Sequence, residues 1–278
     1  MADRYHGYVG QRGVRFLMKI GFVQFSPSFG EKKKNFDTVC NLLKEITADI
    51  IVLPELFNTG YVFLNNDELE ELAEPTDKGE TANFIFSLAR EKNCCFAYGF
   101  AEKNKTFFYD SMALMSPHGL IGVYRKSHLF FEEKKFFQPG NTGFHVFTYK
   151  NVKLGMLICF DWIYPEATRT LALKGAQIIL HPANLVTPYC PDAMITRAIE
   201  NRIYIVTADR IGKEKRDTKE LSFIGKSQVV SPKGEILIRA DTEECVKIVD
   251  INPDLALNKK FNQYNNLLED RREDLYFK

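Results

Sequence analysis

Residues 152–182 read VKLGMLICFDWIYPEATRTLALKGAQIILHP, and this stretch carries the architecture of the chain in miniature. The run VKLGMLICF is short and mostly apolar, as a strand buried on both faces is. PEATRTLALKG then puts Pro165 where a first helical turn tolerates a missing N–H, and Gly175 where a helix stops. AQIILHP is a second buried strand. Strand, helix, strand is the crossover unit of a parallel sheet, and in such sheets ligands gather beyond the carboxyl ends of the strands. Cys159 stands at one of those ends. A lone cysteine ordinarily fills a core, so whether this one reacts depends on its company.

Working outward, the alternation continues on both sides. KIGFVQF (19–25) is a strand, and NFDTVCNLLKEI (35–46) carries Phe36, Val39, Cys40 and Leu43 at helical spacing. DIIVLPE (49–55), ETANFIFSLAREKN (80–93) and CCFAYGF (94–100) follow as strand, helix and strand. Downstream come a helix in DAMITRAIENR (192–202) and a strand in IYIVTAD (203–209). Two hairpins interrupt the pattern, around the Ser-Pro-His-Gly turn of residues 109–127 and the Ser-Pro-Lys-Gly turn of residues 225–240. Crossovers mixed with hairpins predict an α/β sandwich of two sheets. No linker or repeat divides the chain, so one domain over 18–278 is expected, preceded by an extension at 1–17. The tail NQYNNLLEDRREDLYFK (262–278) is polar with aromatic ends, as a segment that docks onto another surface would be.

Composition narrows the function. Across 278 residues, 37 Lys and Arg balance 36 Asp and Glu, so no global field favours nucleic acid or an acidic membrane as partner. No window approaches the length of an apolar membrane span, and the start lacks the apolar core of a signal peptide. Cysteines at 40, 94, 95, 159, 190 and 245 are scattered, as reduced thiols of a cytoplasmic protein are. The adjacent Cys94 and Cys95 lie in a strand-like run and read as packing. The histidines, at 6, 118, 128, 145 and 181, form no metal-binding spacing.

Three residues of chemical interest end apolar strands: Glu55 after DIIVLP, Lys126 after LIGVYR and Cys159 after VKLGMLI. Each alone reads as surface charge or core filling; together they make a nucleophile, a proton carrier and a cation. A thiol that attacks a carbonyl needs an acceptor for its proton and something to hold the oxyanion. Glu55 suits the first task, and Lys126 with the Phe160 N–H suits the second. A helix N-terminus near Cys159 is expected to lower the thiol pKa.

These residues stand in LPELFNTGY (53–61), YRKSHLF (124–130) and GMLICFDWIYPE (155–166), and in that order the chain resembles the nitrilase superfamily of carbon–nitrogen hydrolases from Met18 to Lys278. A fourth stretch, FEEKKFFQPG (131–140), puts Glu133 where that family carries a second active-site glutamate, with Glu132 one residue out of register. The resemblance implies a four-layer αββα sandwich of two mixed β-sheets flanked by helices, dimerising through helices. It further implies a small amide or nitrile substrate, no metal and no organic cofactor. TRAIENRIY (196–204) matches a family helix in which Arg197, Glu200 and Asn201 share one face, read as helix support. Tyr61, Phe160, Trp162 and Asn184 are the pocket walls expected from their motif neighbourhoods.

Branch is read from departures. Nitrilases carry Cys-Trp-Glu where this chain has Cys159-Phe160-Asp161, and N-carbamoyl-D-amino acid hydrolases carry arginines where it has Trp162 and Ile163. N-carbamoylputrescine amidases differ in spacing to Pro165. The resemblance is nearest to archaeal and bacterial nitrilase-like amidases, so amide hydrolysis through a thioester is expected. Nitrile or carbamoyl hydrolysis are the alternatives, and a silent binding protein on the same scaffold is the alternative of another class. Intact Glu55, Lys126, Glu133 and Cys159 oppose that last reading.

Overall fold

The computed structural model describes residues 17–276. The expected extension, apart from Leu17, and Phe277 and Lys278 of the tail lie outside the described residues. The strands are β1 (Met18–Gln24), β2 (Ile50–Val52), β3 (Cys95–Asn104), β4 (Phe107–Ser116), β5 (Gly119–Arg125), β6 (Val146–Tyr149) and β7 (Val152–Met156). They continue as β8 (Ile178–Ala183), β9 (Tyr204–Asp209), β10 (Ile211–Arg216), β11 (Lys219–Ile224), β12 (Gln228–Val230), β13 (Ile236–Arg239) and β14 (Cys245–Ile251). Helices are α1 (Lys32–Leu43), α2 (Asn66–Leu72), α3 (Glu80–Lys92), α4 (Pro165–Leu173) and α5 (Cys190–Asn201).

Two six-stranded sheets result, ordered β14-β1-β2-β3-β4-β5 and β13-β12-β9-β8-β7-β6, with β10 and β11 forming a separate hairpin. Crossovers give the parallel pairs β1–β2, β2–β3, β7–β8 and β8–β9, and hairpins give the antiparallel edges, so both sheets are mixed.

Alternation along the strands sorts side chains into layers. Met18, Ile20, Phe22, Ile50, Val52, Cys95 and Ala97 point between the sheets and pack with Leu154, Met156, Ile178, Leu180 and Val206. Their neighbours Val23, Ile51, Phe96 and Tyr98 point the other way, onto Phe36, Val39 and Leu43 of α1 and Ile85 and Leu88 of α3. On the second sheet, α4 and α5 supply Ala167, Leu171, Met194 and Ala198. The αββα layering follows directly. Cys94 and Cys95 are buried core residues on opposite faces of that strand start. No helix among the described residues is long and apolar enough to cross a membrane.

Some elements were not legible in the sequence. The β10–β11 hairpin, IGKEKRDTKELSFI, is too rich in charge to read as strands, and it forms outside both sheets. β14, paired antiparallel to β1 along its full length, shows no burial alternation except at Ile251. The tail follows α4: Leu267, Arg271 and Tyr276 share a groove with Pro165, Arg169 and Leu173, while Tyr264 stays 84% exposed.

Candidate active site

Glu55 lies three residues beyond β2, fully buried, and its backbone packs onto β3 at Gly99. A Cβ on Gly99 would come within 2.6 Å of the Glu55 Cα, so only glycine lets that loop settle on the strand. Lys126 follows β5 directly; its N–H donates to the Asp110 carbonyl at 2.8 Å, and its own carbonyl accepts from the Gly140 N–H at 2.8 Å. A side chain on Gly140 would strike the Arg125 carbonyl oxygen at 2.0 Å, which explains the glycine closing FEEKKFFQPG. Glu133 sits in a 3₁₀ turn, Phe131–Lys135, and its Oε2 accepts from the Phe130 N–H at 2.8 Å.

These loops converge on the Lys126 ammonium. Nζ donates to Glu55 Oε1 at 2.6 Å and Glu133 Oε1 at 2.8 Å, and lies 3.2 Å from Asp110 Oδ2. The lysine and all three carboxylates are buried. Glu55, Asp110 and Glu133 are close enough to hold a metal ion, but the cation in contact with all three is the chain's own ammonium. Burial alone would push that ammonium down; the charges of Glu133 and Glu55 foremost hold it well above the ordinary lysine value. Burial raises the Glu55 carboxyl while Lys126 opposes it, and burial with the Glu55 charge holds Asp110 well above the carboxylate range. Burial likewise raises Glu133, against the pull of Lys126.

Cys159 opens a second 3₁₀ turn, Cys159–Ile163, with φ +39°, a left-handed conformation that bulky residues avoid. Three residues, Asp161, His181 and Arg197, hold the turn. Asp161, fully buried, accepts from the Ile158 N–H at 2.9 Å, the Tyr124 hydroxyl at 2.8 Å and the His128 N–H at 3.2 Å. His181 Nε2 donates to the Cys159 carbonyl at 2.9 Å, leaving Nδ1 to accept from Thr207 at 3.2 Å. Burial pushes this imidazole down to about 4, so it stays neutral and keeps that tautomer. Arg197 on α5 donates to the Trp162 carbonyl at 3.4 Å and pairs with Glu200 at 3.1 Å, so the helix motif also braces the Cys159 turn.

One expectation is overturned. The resting thiol is raised, not lowered: burial and the Glu55 charge push Cys159 well above the ordinary cysteine value, outweighing Lys126. The helix foreseen, α4, starts only at Pro165. The Phe160 N–H, at the start of the 3₁₀ turn, finds no acceptor among the described residues, as the first N–H groups of a helix do.

The expected pocket residues fare differently. Tyr61 donates its hydroxyl to Glu133 Oε1 at 2.6 Å. The Asn184 carbonyl is 3.9 Å from the Cys159 Sγ, and its buried side-chain amide has no partner at either end among the described residues. Phe160 lies against Phe130, ring centroids 5.1 Å apart. Trp162 joins the central core instead, 9% exposed. Glu132 points away, paired with Lys135 and with Lys219 at 2.7 Å, as the register of Glu133 requires.

Sequence reasoning missed Asp110 and the Arg210–Glu214 pair. An aspartate inside the apolar run YDSMALM was the signal for the first. For the second there was none. Glu214 of β10 accepts from the Tyr61 and Val62 N–H groups, at 3.1 and 2.5 Å, and from Arg210 at 2.5 Å, tying the hairpin to the Glu55 loop.

The model of one protein family, described as carbon–nitrogen hydrolase, matches residues 19–259. A Pyrococcus abyssi protein named nitrilase is 47% identical over 94% of this chain and 100% of its own length. An (R)-stereoselective amidase of a Pseudomonas species is 32% identical, with 92% of each chain covered. Among solved structures, a carbon–nitrogen hydrolase from Helicobacter pylori has the same fold, with TM-score 0.85 and 27% identity over 94% of this chain and 97% of that one.

Proposed function

The chain belongs to the carbon–nitrogen hydrolase family, and from that premise we propose that it is an amidase releasing ammonia from small primary amides. Cys159 is the nucleophile, Glu55 the proton carrier, Lys126 with the Phe160 N–H the oxyanion site, and Glu133 the residue that positions Lys126 and substrate. The Cys159 proton passes to Glu55 as Sγ bonds to the carbonyl carbon, and the oxyanion forms against Lys126 Nζ. Glu55 returns that proton to the amide nitrogen, the C–N bond breaks, and ammonia leaves a thioester. Water then gives a proton to Glu55 and its oxygen to the acyl carbon. The C–S bond breaks, the acid departs, and Sγ recovers the proton.

A thiol that rests protonated suits this scheme, because the transfer to Glu55 accompanies attack and no thiolate accumulates. The homodimer implied by the family resemblance is part of the proposal, supported by Leu255, Leu257, Phe261 and Tyr264 left exposed near the C-terminus.

One observation carries amide over nitrile: the site holds two buried acceptors without a donor, beside the unpartnered Asn184 Nδ2 donor. Glu55 Oε2 and Asn184 Oδ1 are buried and receive no hydrogen bond from the described residues. An amide NH₂ brings two donors to such a site, and a nitrile nitrogen brings none. A site built to accept from N–H groups rejects an analogue lacking them, since its acceptors are desolvated without return. The second reading, nitrile hydrolysis through a thioimidate, is favoured by the name of the Pyrococcus abyssi relative. An ammonia-release panel separates them. Primary amides are expected to exceed matched nitriles in kcat/KM by at least about 100-fold, with N-carbamoyl amino acids slower still. Nitriles in the lead would reverse the assignment.

Glu133→Gln tests the positioning role. The glutamine keeps the shape but loses the charge that holds Lys126 Nζ at 2.8 Å and accepts from Tyr61. Acylation is expected to slow about 10- to 1,000-fold, with Cys159 still alkylated by iodoacetamide. Wild-type rates would reduce Glu133 to a structural acid.

A further inference from the structure

Beside the Lys126 cluster lies a cavity of about 300 Å³ that the catalytic scheme leaves unused. Its walls are Tyr61, Phe63, Phe130, Phe136, Phe137 and, from the β10–β11 hairpin, Leu221. The aromatic side is self-packed: Phe63 lies edge-on against Phe137 at 5.9 Å and 6.3 Å from Phe136. At its inner end Tyr61 and Glu133 meet at 2.6 Å, and Glu133 is in turn 2.8 Å from the Lys126 ammonium. Phe130 links the cavity to Phe160, the residue after the nucleophile. At the mouth, Phe131 is 70% exposed and held at φ +47°, an aromatic displayed at a backbone cost.

The pocket expected from the segment after Cys159 is therefore built elsewhere. Of Tyr61, Phe160, Trp162 and Asn184, only Tyr61 lines this cavity. Ile163 and Tyr164 are 42% and 37% exposed, outside it.

We propose that this cavity receives the acyl side group of the substrate, and that the preferred substrates are primary amides bearing a phenyl-sized or branched apolar group. The inference rests on the amidase reading and specifies its substrate class. Size supports it, since an apolar cavity of about 150 Å³ is enough to take up benzene. Lining supports it too: the walls are aromatic and aliphatic. The charged residues at the rim are already engaged, Glu132 with Lys219 at 2.7 Å and with Lys135, and Glu220 with Lys213 at 3.1 Å. An anionic side group would meet the Glu132 and Glu133 carboxylates with no unpaired cation among the lining residues to offset them.

The test compares kcat/KM for phenylacetamide and acetamide in one preparation, because their ratio does not depend on the fraction of folded enzyme. Wild type is expected to favour phenylacetamide at least about tenfold. Leu221→Trp, on the half-exposed hairpin, fills the cavity from one side, and Phe136→Trp narrows it from the other. Each is expected to lower the ratio about tenfold or more. A ratio that stays within about twofold of wild type in both variants overturns the cavity assignment, as does a wild type with no preference for phenylacetamide. Wild type that releases ammonia from neither amide overturns the amidase reading and the cavity assignment with it.

Discussion

Cys159→Ala is expected to lower ammonia release from a good amide substrate by at least about 10⁴-fold, with fold and assembly intact. The size of the loss follows from the scheme, in which the sulfur makes and breaks both covalent bonds and no other group can replace it; removing the nucleophile of such a unit costs about as much as removing the whole unit. The fold should tolerate the change because the resting thiol is neutral. Burial and the Glu55 charge hold its pKa high, so alanine removes no charge from the Lys126 cluster. The cost is that of one small buried side chain, on the order of 1 kcal/mol. Circular dichroism and a thermal midpoint within a few degrees of wild type, beside absent turnover, is the expected pair of results. Turnover retained by purified Cys159→Ala would remove the cysteine from the mechanism.

The second large effect is on stability as well as rate. Lys126→Met leaves Glu55, Asp110 and Glu133 buried together without the cation that touches each of them. Breaking a buried ion pair from one side typically costs about 3–5 kcal/mol, because the remaining charge is desolvated and unpaired. The deficit should depend on pH with a definite sign. Glu55, Asp110 and Glu133 already have folded-state pKa values above their ordinary ones, and losing Lys126 raises them further. A carboxyl raised in the folded state binds more protons there than when unfolded, so stability falls as pH rises. The gap between variant and wild type in urea unfolding should therefore be widest near about pH 8 and narrow toward about pH 5. Adding Glu133→Gln to Lys126→Met should recover part of it. A gap of the same size at both pH values would assign the loss to packing of the lysine stem. Activity should be lost at every pH, since the oxyanion site goes with the ammonium.

What could be read without coordinates was whatever rests on local pattern. Short apolar runs ending in Glu55, Lys126 and Cys159 marked strands, and the strands β2, β5 and β7 end just before those residues of the proposed site. Pro165 and Gly175 bracket α4 as their backbone preferences require, with Gly175 at φ +89°. The family resemblance, not local pattern, singled out Glu133, buried on Lys126, over Glu132, which faces Lys219.

The sequence by itself thus determined most of the order of elements and the residues on which the proposed site is built, because periodicity, turn chemistry and motif spacing are properties of neighbours along the chain. Tertiary structure alone decided the company those groups keep. Asp110 reaches Lys126 only because β4 pairs with β5, and Glu214 reaches the Tyr61 loop only because an unpromising charged hairpin folds over it. The cavity walls come from residues 61–63, 130–137 and 219–221, three segments that no local pattern connects. The thiol pKa shows the same division: helix spacing suggested it would fall, but burial among carboxylates, a sum over residues distant in sequence, drives it up.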